Sequence, residues 1–183
     1  MRDWLNLPNA VTLLRVLAAP FVSLAILRGE HALAAMIFAA AAATDSLDGF
    51  LARRYSGASA AGAYLDPIAD KIFLGAVILT LAASGSLPVW FAAMVFARDF
   101  LILAFAGAAL RLSPQRRFPP SVWGKLSTFL QILCVVTVLA ANAAPGLAAA
   151  VEPALWLSAA GTLWSGIHYA RTGAALARRR SPR

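Results

Sequence analysis

The chain is 183 residues long, 61% hydrophobic and only 13% charged, too little charge to cover the surface of a soluble domain of that size. Its 16 Lys and Arg against 8 Asp and Glu give a net charge of +8. With no basic, aromatic-bearing soluble module in view, that excess argues against nucleic acid and for loops that face anionic lipid headgroups.

From Met1 to Pro8 the chain carries Arg2, Asp3 and Asn6 but no small-residue cleavage pattern, so no cleavable signal peptide is expected and the first helix is expected to be retained. A transmembrane helix needs roughly 20 mostly apolar residues. About six such segments follow in order: Asn9 to Leu27, His31 to Arg54, Gly62 to Ala83, Pro88 to Arg111, Val122 to Ala141 and Pro153 to Arg171. Arg28-Gly29-Glu30 and Ser84 to Pro88 read as turns, Ser113 to Pro120 as a basic, Pro-rich linker, and residues from about 172 to 183 as a basic tail. Cys134, the single cysteine, excludes an intrachain disulfide and reads as a buried apolar thiol. Alanine-rich runs such as Ala39 to Ala43 supply small residues that let helices approach closely in lipid. No internal repeat is visible, and residues 1–183 read as one all-α integral membrane domain of six transmembrane helices.

An even number of crossings puts both termini on one side of the membrane. That side then owns Arg2, Arg53, Arg54, Arg111, Arg116, Arg117, Lys125, Arg171 and the Arg-rich tail, while the opposite loops hold Arg28, Glu30 and Glu152. The positive-inside rule makes the basic side cytoplasmic, as in the plasma membrane of a bacterium.

Five of the 8 acidic residues, Asp45, Asp48, Asp66, Asp70 and Asp99, lie within or at the ends of apolar segments. An ionised carboxylate there costs at least about 2.5 kcal/mol, which marks such residues as functional candidates. Asp45 and Asp48 are spaced i, i+3 near the end of the second helix, and Asp66 and Asp70 are spaced i, i+4 near the start of the third, so each pair shares a helical face. The short connection Tyr55 to Ala61 makes the two helices antiparallel neighbours, so four carboxylates converge on the cytoplasmic side. Clustered carboxylates repel, and hard divalent cations with oxygen ligands, Mg²⁺ or Mn²⁺, are the natural compensation. Two such ions about 4 Å apart clamp a phosphoryl group. Arg53 stands ready to neutralise a bound phosphate, and Gly49, Ala52 and Gly62 let a nucleotide approach the backbone. The competing readings are helix-end charges solvated at the interface, an ion or proton pathway in a non-enzymatic cation-handling protein, and a structural scaffold. Against the pathway, the acids gather near one face and form no relay across the bilayer.

The run D-S-L-D-G-F-L-A-R-R-Y-S-G-A-S-A-A-G-A-Y-L-D-P-I-A-D, from Asp45 to Asp70, resembles the signature of the CDP-alcohol phosphotransferases, D-x2-D-G-x2-A-R-x8-G-x3-D-x3-D, at every fixed position. The resemblance implies six transmembrane helices, a homodimer, and two divalent ions held by Asp45, Asp48, Asp66 and Asp70. It implies a CDP-linked lipid donor with Asp48, Gly49, Arg53 and Gly62 near the nucleotide, and Asp70 as general base on the acceptor hydroxyl, with CMP leaving. Asn6-Leu7-Pro8-Asn9 with Thr12 and Arg15, and Leu65-Asp66-Pro67 with Asp70-Lys71, resemble the members that use CDP-diacylglycerol and a glycerol-based acceptor.

Two branches then compete, the CMP-forming cardiolipin synthases and the phosphatidylglycerophosphate synthases. Arg98-Asp99 resembles the first, where the second usually carries Arg-Glu. Gly124-Lys125-Leu126-Ser127-Thr128 departs from the Gly-Lys-x-Lys-Thr of the second, and His168-Tyr169-Ala170-Arg171 also resembles the first. A lost lysine suits an acceptor without a free phosphomonoester, so phosphatidylglycerol is the favoured acceptor and glycerol 3-phosphate the alternative. Arg98, Asp99, Arg117 and Lys125 are candidates for the acceptor or its phosphate. Arg98 and Asp99 line that pocket or each pair with a charge on another helix; neighbours on a helix point about 100° apart and need not pair with each other. Arg116 reads as positive-inside anchoring, His168 as an interfacial polar residue, and Trp4, Trp156 and Trp164 as aromatic belts.

Overall fold

The computed structural model describes residues 7–54, 62–112 and 121–178, and the side chains of 14–43, 69–105, 107 and 121–172. Among the described residues there is no strand. The helices are α1 (Leu7–Leu27), α2 (His31–Arg54), α3 (Gly62–Ala83), α4 (Val89–Leu112), α5 (Val122–Ala143) and α6 (Val151–Arg178), with a 3-10 helix, Pro145–Ala150, leading into α6. The expected bounds of the second and third helices coincide with α2 and α3. The first begins at Leu7 and the last at Val151, ahead of the expected starts. Pro8 and Pro153 thus fall in the first turn, where a missing N–H removes no intrahelical bond. α6 also runs on to Arg178, because Ala174, Ala175, Leu176 and Ala177 are helix formers whether or not lipid surrounds them.

The chain divides into two compact units, 1–87 with 135–148 and 88–134 with 149–183. In the first unit α1 packs against both α2 and α3. Val22 and Ile26 of α1, Ala34 and Phe38 of α2, and Phe73, Val77, Ile78 and Leu81 of α3 form its buried core. Phe38 and Phe73 stack at 5.3 Å between centroids, 15° from parallel, and fasten α2 to α3. Thr80 Oγ1 donates to Ser23 Oγ at 3.0 Å, a polar tie between α3 and α1.

The α1–α2 turn is a helix stop made by Gly29 at φ 75°. Its N–H bonds the Ile26 carbonyl at 3.0 Å, and Glu30 N–H bonds that of Ala25 at 2.9 Å. This left-handed cap places α2 antiparallel to α1 after three residues. Gly85, at φ 78°, ends α3 in the same way, with Leu87 N–H reaching back to the Leu81 carbonyl at 3.0 Å.

In the second unit α4 packs against α6, and the first half of α5 packs on α6. Its interior is strongly polar: Arg98, Ser127, Gln131, Ser158, Thr162 and Ser165 are buried beside Phe91, Val95 and Cys134. Meanwhile Phe100, Leu103, Phe129 and Trp156 face outward, as do Leu14, Leu17, Phe21 and Leu24 in the first unit. In the second unit, outward apolar chains over inward polar ones make the distribution a bilayer favours. Among the described residues two helical stretches, Val122–Ala143 and Pro145–Thr172, are long and apolar enough to cross a membrane, with Leu14–Leu27 and His31–Ala43 as shorter apolar stretches.

Candidate active site

The backbone is helical through Arg54 and again from Gly62, so Asp45 and Asp48 occupy the closing turns of α2 and Asp66 and Asp70 the opening turns of α3. The i, i+3 and i, i+4 spacings therefore hold in real helices, and each pair shares a face of its own helix. The side chains of Asp45, Asp48, Gly49, Ala52, Arg53, Gly62 and Asp66 lie outside the described residues. Among the described residues no group of three or more His, Cys, Asp or Glu side chains could hold a metal. Carboxylates at these four positions would offer an all-oxygen, anionic donor set, the kind that suits Mg²⁺ or Mn²⁺ and suits softer metals poorly.

Asp70 is the described member of the set. Its side chain is 40% exposed, and Oδ1 makes an ion pair with Arg15 Nη1, from a side chain only 6% exposed. Arg15 stands on α1, so a neighbouring helix brings a cation to Asp70 of α3. In the sequence Arg15 reads as a branch marker and not as a site residue. The signal available is a lone cation between Leu14 and Val16 in an apolar helix, which needs a carboxylate to be buried.

The second unit gathers a different cluster. Arg98, 6% exposed, donates from Nε and Nη2 to Ser165 Oγ at 3.2 and 2.9 Å. Nη2 also reaches the Gly124 carbonyl at 3.2 Å, and Nη1 reaches Asp99 Oδ1 at 2.6 Å. Arg98 and Asp99 thus pair with each other. The arginine stem is long enough to fold its head back across the 100° between neighbouring side chains. The Arg98 fork also ties α4 to the first turn of α5 and to α6.

That first turn is capped. Ser121 Oγ accepts the Gly124 N–H at 3.1 Å, and Tyr169 Oη accepts the Ser121 N–H at 3.0 Å. A Cβ at Gly124 would meet Tyr169 Oη at 2.9 Å and Arg98 Nη2 at 3.3 Å, so this close approach requires glycine. Lys125, next along, is exposed, and Arg117 and Trp4 lie outside the described residues.

One turn further, Ser127 is fully buried and donates to Thr162 Oγ1 at 3.3 Å. Gln131 Nε2 donates to the same oxygen at 3.0 Å. The position at which the branch comparison turns on a missing lysine is therefore a neutral, buried hydroxyl between α5 and α6. Ser165, Thr162 and Gln131 escape sequence reasoning because serine, threonine and a lone glutamine are unremarkable in a helix. Their spacing at Ser158, Thr162, Ser165 and Tyr169 on one face of α6 is the available signal.

Cys134 is buried, as expected. His168 sits edge-on to Tyr169 at 6.2 Å. Trp156 stacks on Trp90 at 5.5 Å, and Trp164 meets Trp123 edge-on at 5.8 Å, all four exposed.

Residues 5–164 match the family model described as CDP-alcohol phosphatidyltransferase. A probable phosphatidylglycerophosphate synthase of Mycobacterium tuberculosis is 39% identical over 138 residues, 71% of this chain and 64% of that protein. A CDP-diacylglycerol–glycerol-3-phosphate 3-phosphatidyltransferase of Pseudomonas fluorescens is 37% identical over 178 residues, 91% of this chain and 89% of that protein. A probable CMP-forming cardiolipin synthase of Drosophila melanogaster is 32% identical over 148 residues, 72% of this chain and 46% of that protein. The chain thus spans just under two thirds of the mycobacterial relative and under half of the fly one.

Proposed function

The chain belongs to the CDP-alcohol phosphatidyltransferase family, and on that premise we propose that it moves a phosphatidyl group from CDP-diacylglycerol to a glycerol-bearing acceptor and releases CMP. The observation that carries the reading is the pair of carboxylate spacings closing α2 and opening α3, with Asp70 held by Arg15. Asp45, Asp48, Asp66 and Asp70 would hold two divalent cations, Mg²⁺ or Mn²⁺, which supply charge stabilisation to the donor pyrophosphate. Gly49 and Gly62 leave room for the nucleotide, and Arg53 and Asp48 stand beside it. Asp70 accepts the proton of the acceptor hydroxyl. That oxygen then bonds to the phosphorus next to the lipid alcohol, the phosphoanhydride bond breaks, and its electron pair leaves with CMP.

The acceptor in this reading is phosphatidylglycerol, with cardiolipin as product. The buried, neutral Ser127 supports it: no cation stands at that position to pair with a phosphomonoester. Arg98, Asp99, Arg117 and Lys125 are the residues we assign to the acceptor side; Arg98, closely bonded as it is, serves there by holding the start of α5. The names of the mycobacterial and Pseudomonas relatives favour a second reading, with glycerol 3-phosphate as acceptor. We also place the protein in the membrane as six crossings, termini and aspartates on the cytoplasmic side, working as a homodimer. The outward apolar side chains of α1 to α6 support the crossings, and the basic loops support the orientation.

The test is CMP release from CDP-diacylglycerol by the purified protein in mixed micelles with Mn²⁺ or Mg²⁺, each acceptor offered alone. Release with phosphatidylglycerol and formation of cardiolipin are expected. Release with glycerol 3-phosphate alone replaces the acceptor and leaves the chemistry, and release with neither overturns the proposal.

A further inference from the structure

Arg15 is buried on the inner face of α1, 6% exposed, while its helix neighbours Leu14 and Leu17 face outward. A guanidinium does not shed its charge by losing a proton, so its burial there depends on a carboxylate partner. Asp70 of α3 is such a partner, and the pair spans two helices that pack directly on each other. Asp70 is also the residue that the proposed function makes both a cation ligand and the base. A base must lie within hydrogen-bond reach of the proton it takes, and a displacement of about 1 Å can cost on the order of a hundredfold in rate. A planar guanidinium on a packed helix restricts the rotation of the half-exposed carboxylate it is paired with.

Resting on that reading of Asp70, we infer that Arg15 is a positioning residue: it orients the Asp70 carboxylate for proton abstraction, and its fixed positive charge weakens the hold of the carboxylate set on divalent cations. The two effects respond to substitution with opposite signs. Removing the guanidinium frees Asp70 to rotate, which slows turnover. It also removes a cation that repels Mn²⁺ or Mg²⁺, which tightens binding. A merely structural loss weakens both.

The experiment uses the full chain in detergent micelles, with Mn²⁺ binding read by calorimetry and CMP release read as kcat and KM for CDP-diacylglycerol. R15Q is expected to bind Mn²⁺ about threefold or more tightly, in line with loss of a nearby like charge. Its kcat falls by about tenfold or more with KM within about twofold, the split expected when a transition-state contact and not substrate binding is lost. R15K keeps the charge without the planar fork, so its Mn²⁺ affinity stays near that of the unsubstituted protein and its kcat lies between the two. An R15Q protein with unchanged kcat, or one that is folded and binds Mn²⁺ more weakly, overturns the inference. Should R15Q fail to fold, R15K decides: a kcat equal to that of the unsubstituted protein overturns the inference. An unsubstituted protein that neither binds Mn²⁺ nor releases CMP overturns the proposed function and this inference together. An active protein indifferent to Arg15 overturns the inference alone.

Discussion

The backbone N–H of Ser121 donates to the hydroxyl of Tyr169 at 3.0 Å, joining the cap of α5 to α6 across 48 positions of sequence. The same hydroxyl stands where a Cβ on Gly124 would come within 2.9 Å, so one phenol both accepts the cap's orphan N–H and sets how closely α5 lies on α6. Tyr169→Phe removes the acceptor and keeps the ring. The expected loss is about 1 kcal/mol, the worth of one partly buried hydrogen bond. It is read as a lower thermal unfolding midpoint in detergent, and an unchanged midpoint would mean that water serves Ser121 as well as tyrosine does.

Gly161 of α6 faces Leu130 of α5 so closely that a Cβ there would meet Leu130 Cδ1 at 2.6 Å. Gly161→Ala displaces only the tip of a flexible leucine and is expected to be mild. Gly161→Val adds two further methyl groups against the backbone near Ser127, forcing α5 outward and stretching the Ser127–Thr162 bond. Overpacking of this kind costs about 1–3 kcal/mol. The midpoint should fall stepwise from glycine to alanine to valine; a valine variant as stable as the parent would contradict the close approach.

Asp70→Asn keeps the shape of the side chain and removes the proton acceptor. Loss of a general base lowers rate by roughly 10²–10⁴-fold. Because the substitution also strips Arg15 of its counter-charge, some loss of stability accompanies it. That loss is smaller than for a fully enclosed pair, since the Asp70 side chain is 40% exposed and water reaches it. Initial rates of CMP release should therefore be compared on protein shown to be folded by its unfolding midpoint. Retention of near-normal turnover in folded Asp70→Asn would remove Asp70 from the role of base.

The bounds of α2 and α3, and with them the register of the four aspartates, are legible because Gly29 and Gly85 take up a left-handed conformation in their turns without strain. The start of α6 is less so. Ala148 to Ala150 are as compatible with a 3-10 turn as with an α-helix, and Pro153 looks like a beginning when it is already inside the first turn. Partners are hardest to read. Hydropathy places Arg15 and Arg98 in apolar segments but is blind to which carboxylate or hydroxyl each meets. Arg15 meets Asp70 on another helix, while Arg98 meets its own neighbour, Asp99, and Ser165. Serine and threonine contribute little to a hydropathy profile, so the buried seam of Ser127, Thr162 and Ser165 passes unseen.

Removal of divalent cations tests the donor set as a whole. Three more carboxylates, at Asp45, Asp48 and Asp66, share the ends of α2 and α3 with Asp70, and Arg15 offers a single positive charge against them. Even with Arg53 beside the nucleotide, two guanidinium groups do not neutralise four carboxylates together with an anionic pyrophosphate, so the proposed chemistry requires further positive charge. Chelation with EDTA is expected to abolish CMP release, and Mg²⁺ or Mn²⁺ in excess of the chelator to restore it. Hard, oxygen-seeking ions should restore it best, since the set offers no nitrogen or sulfur. The unfolding midpoint should rise with added Mn²⁺ by mass action on the native state and stay fixed in a protein carrying Asp66→Asn with Asp70→Asn. Full activity in EDTA would instead require Arg15 and Arg53 to supply all the charge stabilisation, and would assign the carboxylates a role other than cation binding.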